Sequence, residues 1–143
     1  MRSPVPPFFI QARVVMICIE EKRDVVYVFV FGDQGTGKTT LINSVTTRRI
    51  SDPLLPSFQY VSESDRMTDM GMITLRLLEL NRGHLTSPEI SQICRTAKHV
   101  LLFVFAIYDL HGFNFVRLMI NVRKAFGWSV PAVMLGTQTR SQK

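Results

Sequence analysis

Residues 32–40, Gly-Asp-Gln-Gly-Thr-Gly-Lys-Thr-Thr, are the stretch of this chain whose types and spacing suit a chemical task. Gly32, four residues, and then Gly37, Lys38 and Thr39 satisfy the pattern GxxxxGK[ST]. Phosphates carry dense negative charge, so a loop that holds them needs inward backbone N–H groups, a fixed cation and the positive end of a helix. Glycines let the backbone turn closely around the phosphates, Lys38 is placed to reach the β- and γ-phosphates, and the Thr39 hydroxyl to ligate Mg²⁺. The nucleotide-binding set read from the loop is Gly32, Gln34, Gly35, Thr36, Gly37, Lys38, Thr39 and Thr40. A glycine-rich turn matching this pattern by accident has a chance below about one in a hundred at this length, from typical residue frequencies.

Such a loop works only between a strand and a helix, and the flanking residues predict both. Val25 to Phe31, VVYVFVF, reads as a strand buried on two faces, and KTTLINSVTTRR brings Leu41, Ile42 and Val45 to one side at helical spacing. Arg48 and Arg49 suit the negative end of that helix, which is expected to stop near Ile50. Pro53 and Pro56 mark a loop leading to a second strand around Phe58 to Val61. Alternation in MITLRLLEL predicts a strand ending near Glu79, and Ser87-Pro88 a helix from about Pro88 to Lys98. His99 to Ile107 is the strongest strand signal; a helix from about Phe113 to Phe126, stopped by Gly127, and a last strand up to Gly136 complete the order. The expected fold is α/β: three layers, a mostly parallel sheet with helices on both faces, in the manner of a P-loop NTPase. Residues 1–24 form an N-terminal extension and 25–143 the domain.

Composition bounds the function further. The 143 residues are 46% hydrophobic and 20% charged, which suits one globular domain. The net charge of +6 comes from basic residues scattered singly or in pairs, so no stripe suited to a nucleic-acid backbone is present. No apolar run reaches the roughly 18 residues of a membrane span. Cys18 and Cys94 lie in apolar runs without metal-like spacing and read as buried thiols of a reducing compartment.

With the stretches GDQGTGKTTL, PEISQICRTAKHVLLFVFAI and VPAVMLG in view, the chain resembles a Ras-superfamily small GTPase, most like the N-terminal GTPase domain of the mitochondrial Rho (Miro) proteins. The resemblance runs from about Val25 to Gly136 and implies GTP or GDP and Mg²⁺ as ligands. It places Ser57, after Pro56, where the family has a Mg²⁺-binding threonine, and Glu79 where it has the acid of its second switch; an ordinary loop serine and a solvent-facing strand end are the alternatives. Thr39, Ser57 and Glu79 are thus the implied metal set. Gln34 stands where the most active members keep a glycine, which implies slow hydrolysis. His84, beside Gly83, is near the family's water-positioning glutamine, and an exposed loop histidine is the alternative. The family's Asn-Lys-x-Asp should follow Gly136, where this chain has Thr137, Gln138, Thr139 and Arg140. A base site built on the missing aspartate loses roughly 10⁴-fold discrimination, and Arg140 has only donors.

The resemblance leaves the domain without its final strand and helix. The last strand then becomes an edge and one sheet face lacks a cover, which segment 8–19 is expected to supply; deleting residues 1–22 should lower the melting temperature. Three functions stay open. One is a small GTPase binding a protein effector or adaptor through switch loops around Ser57 and Glu79; its activity, if present, is GTP hydrolysis. The second is a pseudo-GTPase serving as an interaction module. The third is a P-loop ATPase or kinase, with Asp109 as its acid and ATP as its nucleotide. The resemblance alone suggests the cytosolic face of the mitochondrial outer membrane; otherwise the expected location is cytoplasmic.

Overall fold

The computed structural model describes residues 24–33, 35–107 and 113–137. The elements are β1 (Asp24–Phe31), α1 (Lys38–Val45), β2 (Arg48–Ile50), β3 (Val61–Thr68), β4 (Gly71–Glu79), a short 3-10 helix (Arg82–Thr86), α2 (Pro88–Thr96), β5 (Lys98–Ala106), α3 (Phe113–Phe126) and β6 (Ala132–Thr137). They build one six-stranded sheet in the order β2-β3-β4-β1-β5-β6. β1 is parallel to β4 and β5, β5 is parallel to β6, and the β2–β3 and β3–β4 pairs are antiparallel. This is the α/β, three-layer, mostly parallel architecture expected for a P-loop fold.

Period-2 alternation in β1 divides the core. Tyr27, Phe29 and Phe31 face one side, where they pack with Leu101, Phe103, Ile90 and Ile93 of α2, and Phe115 and Val122 of α3. Val28 and Val30 face the other side and meet Ile42, Leu77 and Val104, with Leu41 and Val45 of α1 against them. Gly127, at φ 101°, ends α3 as expected, its N–H bonding the Arg123 carbonyl at 2.8 Å.

Two expectations are corrected. The helix after the glycine loop ends at Val45, not near Ile50, and Arg48–Ile50 is an edge strand instead. β-branched Val45, Thr46 and Thr47 favour extended backbone, and Arg48 finds acids across the ladder at Glu63 (2.7 Å) and Asp65 (3.0 Å). The second strand runs Val61–Thr68, beginning where the sequence reading ends it, and it is antiparallel. Its polar composition, VSESDRMT, is stabilised by cross-strand ion pairs. The smaller adjustments are that α2 stops two residues early, at Thr96, and Lys98 opens β5.

Those pairs form a row across four strands. Register aligns Tyr27 with Arg76, Arg76 with Glu63, and Glu63 with Arg48. Arg76 donates through Nε to Glu63 at 2.7 Å and through a terminal nitrogen to Asp52 at 3.1 Å; the Tyr27 hydroxyl donates to Asp52 at 2.6 Å. Asp52, with its side chain 1% exposed, also accepts the Leu54 N–H at 2.9 Å, so this row fastens the start of loop 51–60 to the sheet.

Burial, and then the hydrogen bond to Asp52, push the Tyr27 hydroxyl up to about 12 from 10.0, with Arg76 partly offsetting them. The folded state therefore holds the proton more tightly than the unfolded one. Its contribution to stability is complete below about pH 10 and is lost as pH rises toward about 12. Unfolding measured across that interval should show a stability decline that Tyr27→Phe flattens; an equal decline in the variant would refute the assignment.

Candidate phosphate-binding site

The loop leaves β1 at Phe31 and enters α1 at Lys38, as the motif requires. Gly35 (φ 80°) and Gly37 (φ 88°) take left-handed backbone that other residues rarely adopt. Gly32 is needed for space: a Cβ there would lie 2.4 Å from the Val104 carbonyl oxygen and 3.0 Å from the Thr36 hydroxyl. Thr36 is buried, donating its hydroxyl to the Asp33 carbonyl at 2.8 Å. Its own carbonyl accepts from the Thr137 hydroxyl at 2.8 Å, which ties the loop to β6. Lys38 Nζ donates to the carbonyls of Gly32 (2.5 Å) and Asp33 (2.9 Å), so the ammonium is held across the loop.

Parallel pairing brings the acid to this loop. Val30 is in register with Glu79, and the Leu80 N–H bonds the Val30 carbonyl at 3.0 Å, so β4 ends beside the start of the loop. Thr39, in the first turn of α1, donates its hydroxyl to Glu79 Oε1 at 2.9 Å. Two adjoining clefts open here. One, about 260 Å³, is lined by Gly35, Gly37, Lys38, Thr39, Thr40 and Glu79. The other, about 290 Å³, continues from Lys38 and Glu79 past Asn81 and Arg82.

The residues fit the group the motif implies. Gly35 and Gly37 line the cleft in left-handed backbone, Lys38 supplies a cation, and Thr39 and Glu79 supply two oxygens. Mg²⁺ usually takes one or two protein oxygens, with phosphate and water completing its shell. Among the described residues no cluster of three or more His, Cys, Asp or Glu could hold a metal alone.

Ser57 is placed elsewhere. Its N–H donates to Glu89 Oε1 at 2.9 Å and its hydroxyl to Glu89 Oε2, in the first turn of α2. The residues of loop 51–60 that share a cleft with Thr39 and Glu79 are Phe58 and Tyr60. His84 closes the 3-10 turn after Glu79: its Nδ1 accepts the Asn81 N–H at 2.9 Å, and its ring lies 5.1 Å from that of Phe58. Gln34, Asp109 and Gln138 to Arg140 lie outside the described residues, as do Cys18 and segment 8–19.

Three side chains near the site escaped the sequence reading. Arg82 lines the cleft with Lys38, and Arg49 lines a further cleft of about 260 Å³ with Thr39 and Glu79. Thr137, where the resemblance implies only the base-reading motif, ties the glycine loop to β6. The signal for Arg49 was its alternation with Arg48 and Ile50, which becomes legible only once this stretch is known to be a strand.

No protein-family model matches the chain, and no curated protein matches it. Among solved structures it is similar to GTP-bound wild-type EhRabX3 from Entamoeba histolytica, at 23% identity and a TM-score of 0.42. That likeness covers 75% of this chain and 37% of the other, so it spans little more than a third of that protein's length.

Proposed function

We propose that this chain is a small-GTPase-like protein that binds GTP or GDP with Mg²⁺ through residues 32–40. The observation that carries the reading is the junction of a glycine cradle, Lys38 across it, and the Thr39–Glu79 pair that the β1–β4 register assembles. Lys38 would meet the β- and γ-phosphates, and Thr39 and Glu79 would hold the metal ion. That ion, when bound, neutralises phosphate charge. Backbone N–H groups of residues 35–40 would cradle the phosphates at the N-terminus of α1.

Hydrolysis on this reading is slow or absent. His84 Nδ1 is already used by the Asn81 N–H, which leaves Nε2 as a donor and removes the acceptor that would orient a water from that side. The Thr137 hydroxyl proton is committed to the Thr36 carbonyl, so this side chain would have only acceptor lone pairs to offer a base. Protein effectors or adaptors would meet loop 51–60 and the turn at 82–86, which touch through Phe58 and His84. The finer assignment to the mitochondrial Rho type, with placement at the outer mitochondrial membrane, rests on the sequence resemblance alone.

A second reading, a scaffold that binds no nucleotide, is favoured by one observation: Ser57 is held by Glu89 and away from the Thr39–Glu79 pair. Titration with fluorescent GTP and ATP analogues in Mg²⁺ separates the two. The first reading expects saturable binding that Lys38→Ala weakens by about a hundredfold, since bonds to a charged group contribute roughly 1.5–3 kcal/mol each. A flat titration with the unaltered chain would establish the scaffold.

A further inference from the structure

The α1 side of the sheet is covered at its centre and open toward β6. Register sets Val30, Leu102 and Val133 in one row across β1, β5 and β6, and Val104 and Leu135 in the next. Val30 and Val104 are fully buried, Leu102 is half-buried, and Leu135 and Val133 are 37% and 55% exposed. Cover is also lost down the strands: Val28 and Leu77 are buried, whereas Val26, Leu75 and Val100 are half-buried. α1, with eight residues, is about 12 Å long and shields only the middle of this face. β6 ends the strand order, so its outer side has no strand partner among the described residues.

We propose that this face is the docking surface for the chain's own segment 8–19, Phe-Phe-Ile-Gln-Ala-Arg-Val-Val-Met-Ile-Cys-Ile. Both partners are apolar: the segment's six residues Val14 to Ile19 carry no charge, and the open face offers valines and leucines. Leaving either in water is unfavourable, and one contact hides both. Connectivity favours this occupant over a second copy. Residues 20–23, Glu-Glu-Lys-Arg, join the segment directly to Asp24 at the start of β1. A tether that short holds the segment at millimolar effective concentration, above the level at which a second molecule competes.

Reach is sufficient. Val133 is level with Val30, so it lies about six residues along the strands from Asp24, ~20 Å, and two strands across, ~10 Å. Residues 8–23 at ~3.4 Å per residue exceed that distance at least twofold. Asp24, which residues 20–23 precede in sequence, pairs with Lys98 at 3.1 Å at the exposed edge of the face. This inference is independent of nucleotide binding.

Hydrogen exchange on the full chain, followed by mass spectrometry, tests it. Amides of 8–19 should exchange at least roughly tenfold more slowly than an unstructured chain. Val133→Asp with Leu135→Asp should erase that protection while amides of β1 and β4 remain protected; the milder Val133→Ser should erase part of it should the double variant unfold. Unprotected amides at 8–19 in the unaltered chain would overturn the proposal, as would protection indifferent to both variants. Protection lost on dilution, with a dimer seen by sedimentation, would assign the face to a second copy instead.

Discussion

Asp52→Ala is expected to lower the unfolding free energy by about 3–5 kcal/mol, the range for removing one partner of a buried ion pair. The carboxylate is 1% exposed and accepts from the Tyr27 hydroxyl, from Arg76 and from the Leu54 N–H. Its loss strands three donors at once. The Arg76 guanidinium is 22% exposed and keeps Glu63, so part of its charge stays compensated. Tyr27 is 1% exposed; its hydroxyl still accepts from Arg76 at 3.1 Å, but its own proton loses its acceptor. A lost neutral hydrogen bond typically costs about 1 kcal/mol, so an effect near 1 kcal/mol would mean that the charge contributes nothing. Urea unfolding decides between them, because a midpoint shift at constant slope reports stability alone. Asp52→Asn separates charge from hydrogen bonding, since the amide oxygen still accepts from Tyr27 or Leu54. Loop 51–60 should also become more sensitive to proteolysis in Asp52→Ala, because the bonds that fix its first turn to the sheet are those removed.

Gly32→Ala should cost about 3 kcal/mol or more and, on the proposed reading, abolish the nucleotide binding expected of the unaltered chain. The added methyl would sit 2.4 Å from the Val104 carbonyl oxygen, well inside contact distance. Overpacking in a tight interior costs typically 1–3 kcal/mol, and the upper end applies when the obstacle is backbone that cannot turn aside. Val104 lies within β5, which is laddered to β1 on one side and to β6 on the other. Relief must therefore come from the phosphate loop, and lifting it also disturbs Thr36 and Lys38, both within 3.2 Å of the new carbon. Gly136→Ala is the matched control. Its methyl would approach the Ile107 side chain at 2.8 Å and the Phe105 ring at 3.0 Å, both of which can move. Thermal unfolding should rank Gly32→Ala well below Gly136→Ala; equal stability for the two would show that the loop yields easily.

The elements read correctly from the residues are those whose information is local. GxxxxGK[ST] needs a strand before it and a helix after it, and β1 and α1 are both present. β1 and β5 are dense runs of β-branched and aromatic residues, and α3 is bounded by Phe113 and Gly127 as its apolar spacing and stop signal imply. The end of β4 at Glu79 was legible because the apolar alternation stops there. Backbone propensity, side-chain period and turn chemistry agree in each of these cases, so little depended on the remainder of the chain.

Where the reading failed, residues distant in sequence decide the outcome. Arg48 and Arg49 look like a helix end, yet Arg48 pairs with Glu63 and Asp65, fifteen and seventeen residues away, and that pairing makes a strand of them. VSESDRMT lacks the apolar alternation of a strand because one of its buried residues, Glu63, is neutralised by arginines on both neighbouring strands. Ser57 could be placed near the metal position by spacing alone, whereas Glu89 on α2 determines where its hydroxyl points. Short-range patterns in the chain thus specified the loop, its flanking strand and helix, and the types of group available to a phosphate. Which of those groups meet, Thr39 with Glu79, Thr137 with Thr36 and Asp52 with Tyr27, was settled by how α1 and two loops pack against strands held in register, because electrostatic and hydrogen-bond partners are chosen by distance in space and not by separation along the chain.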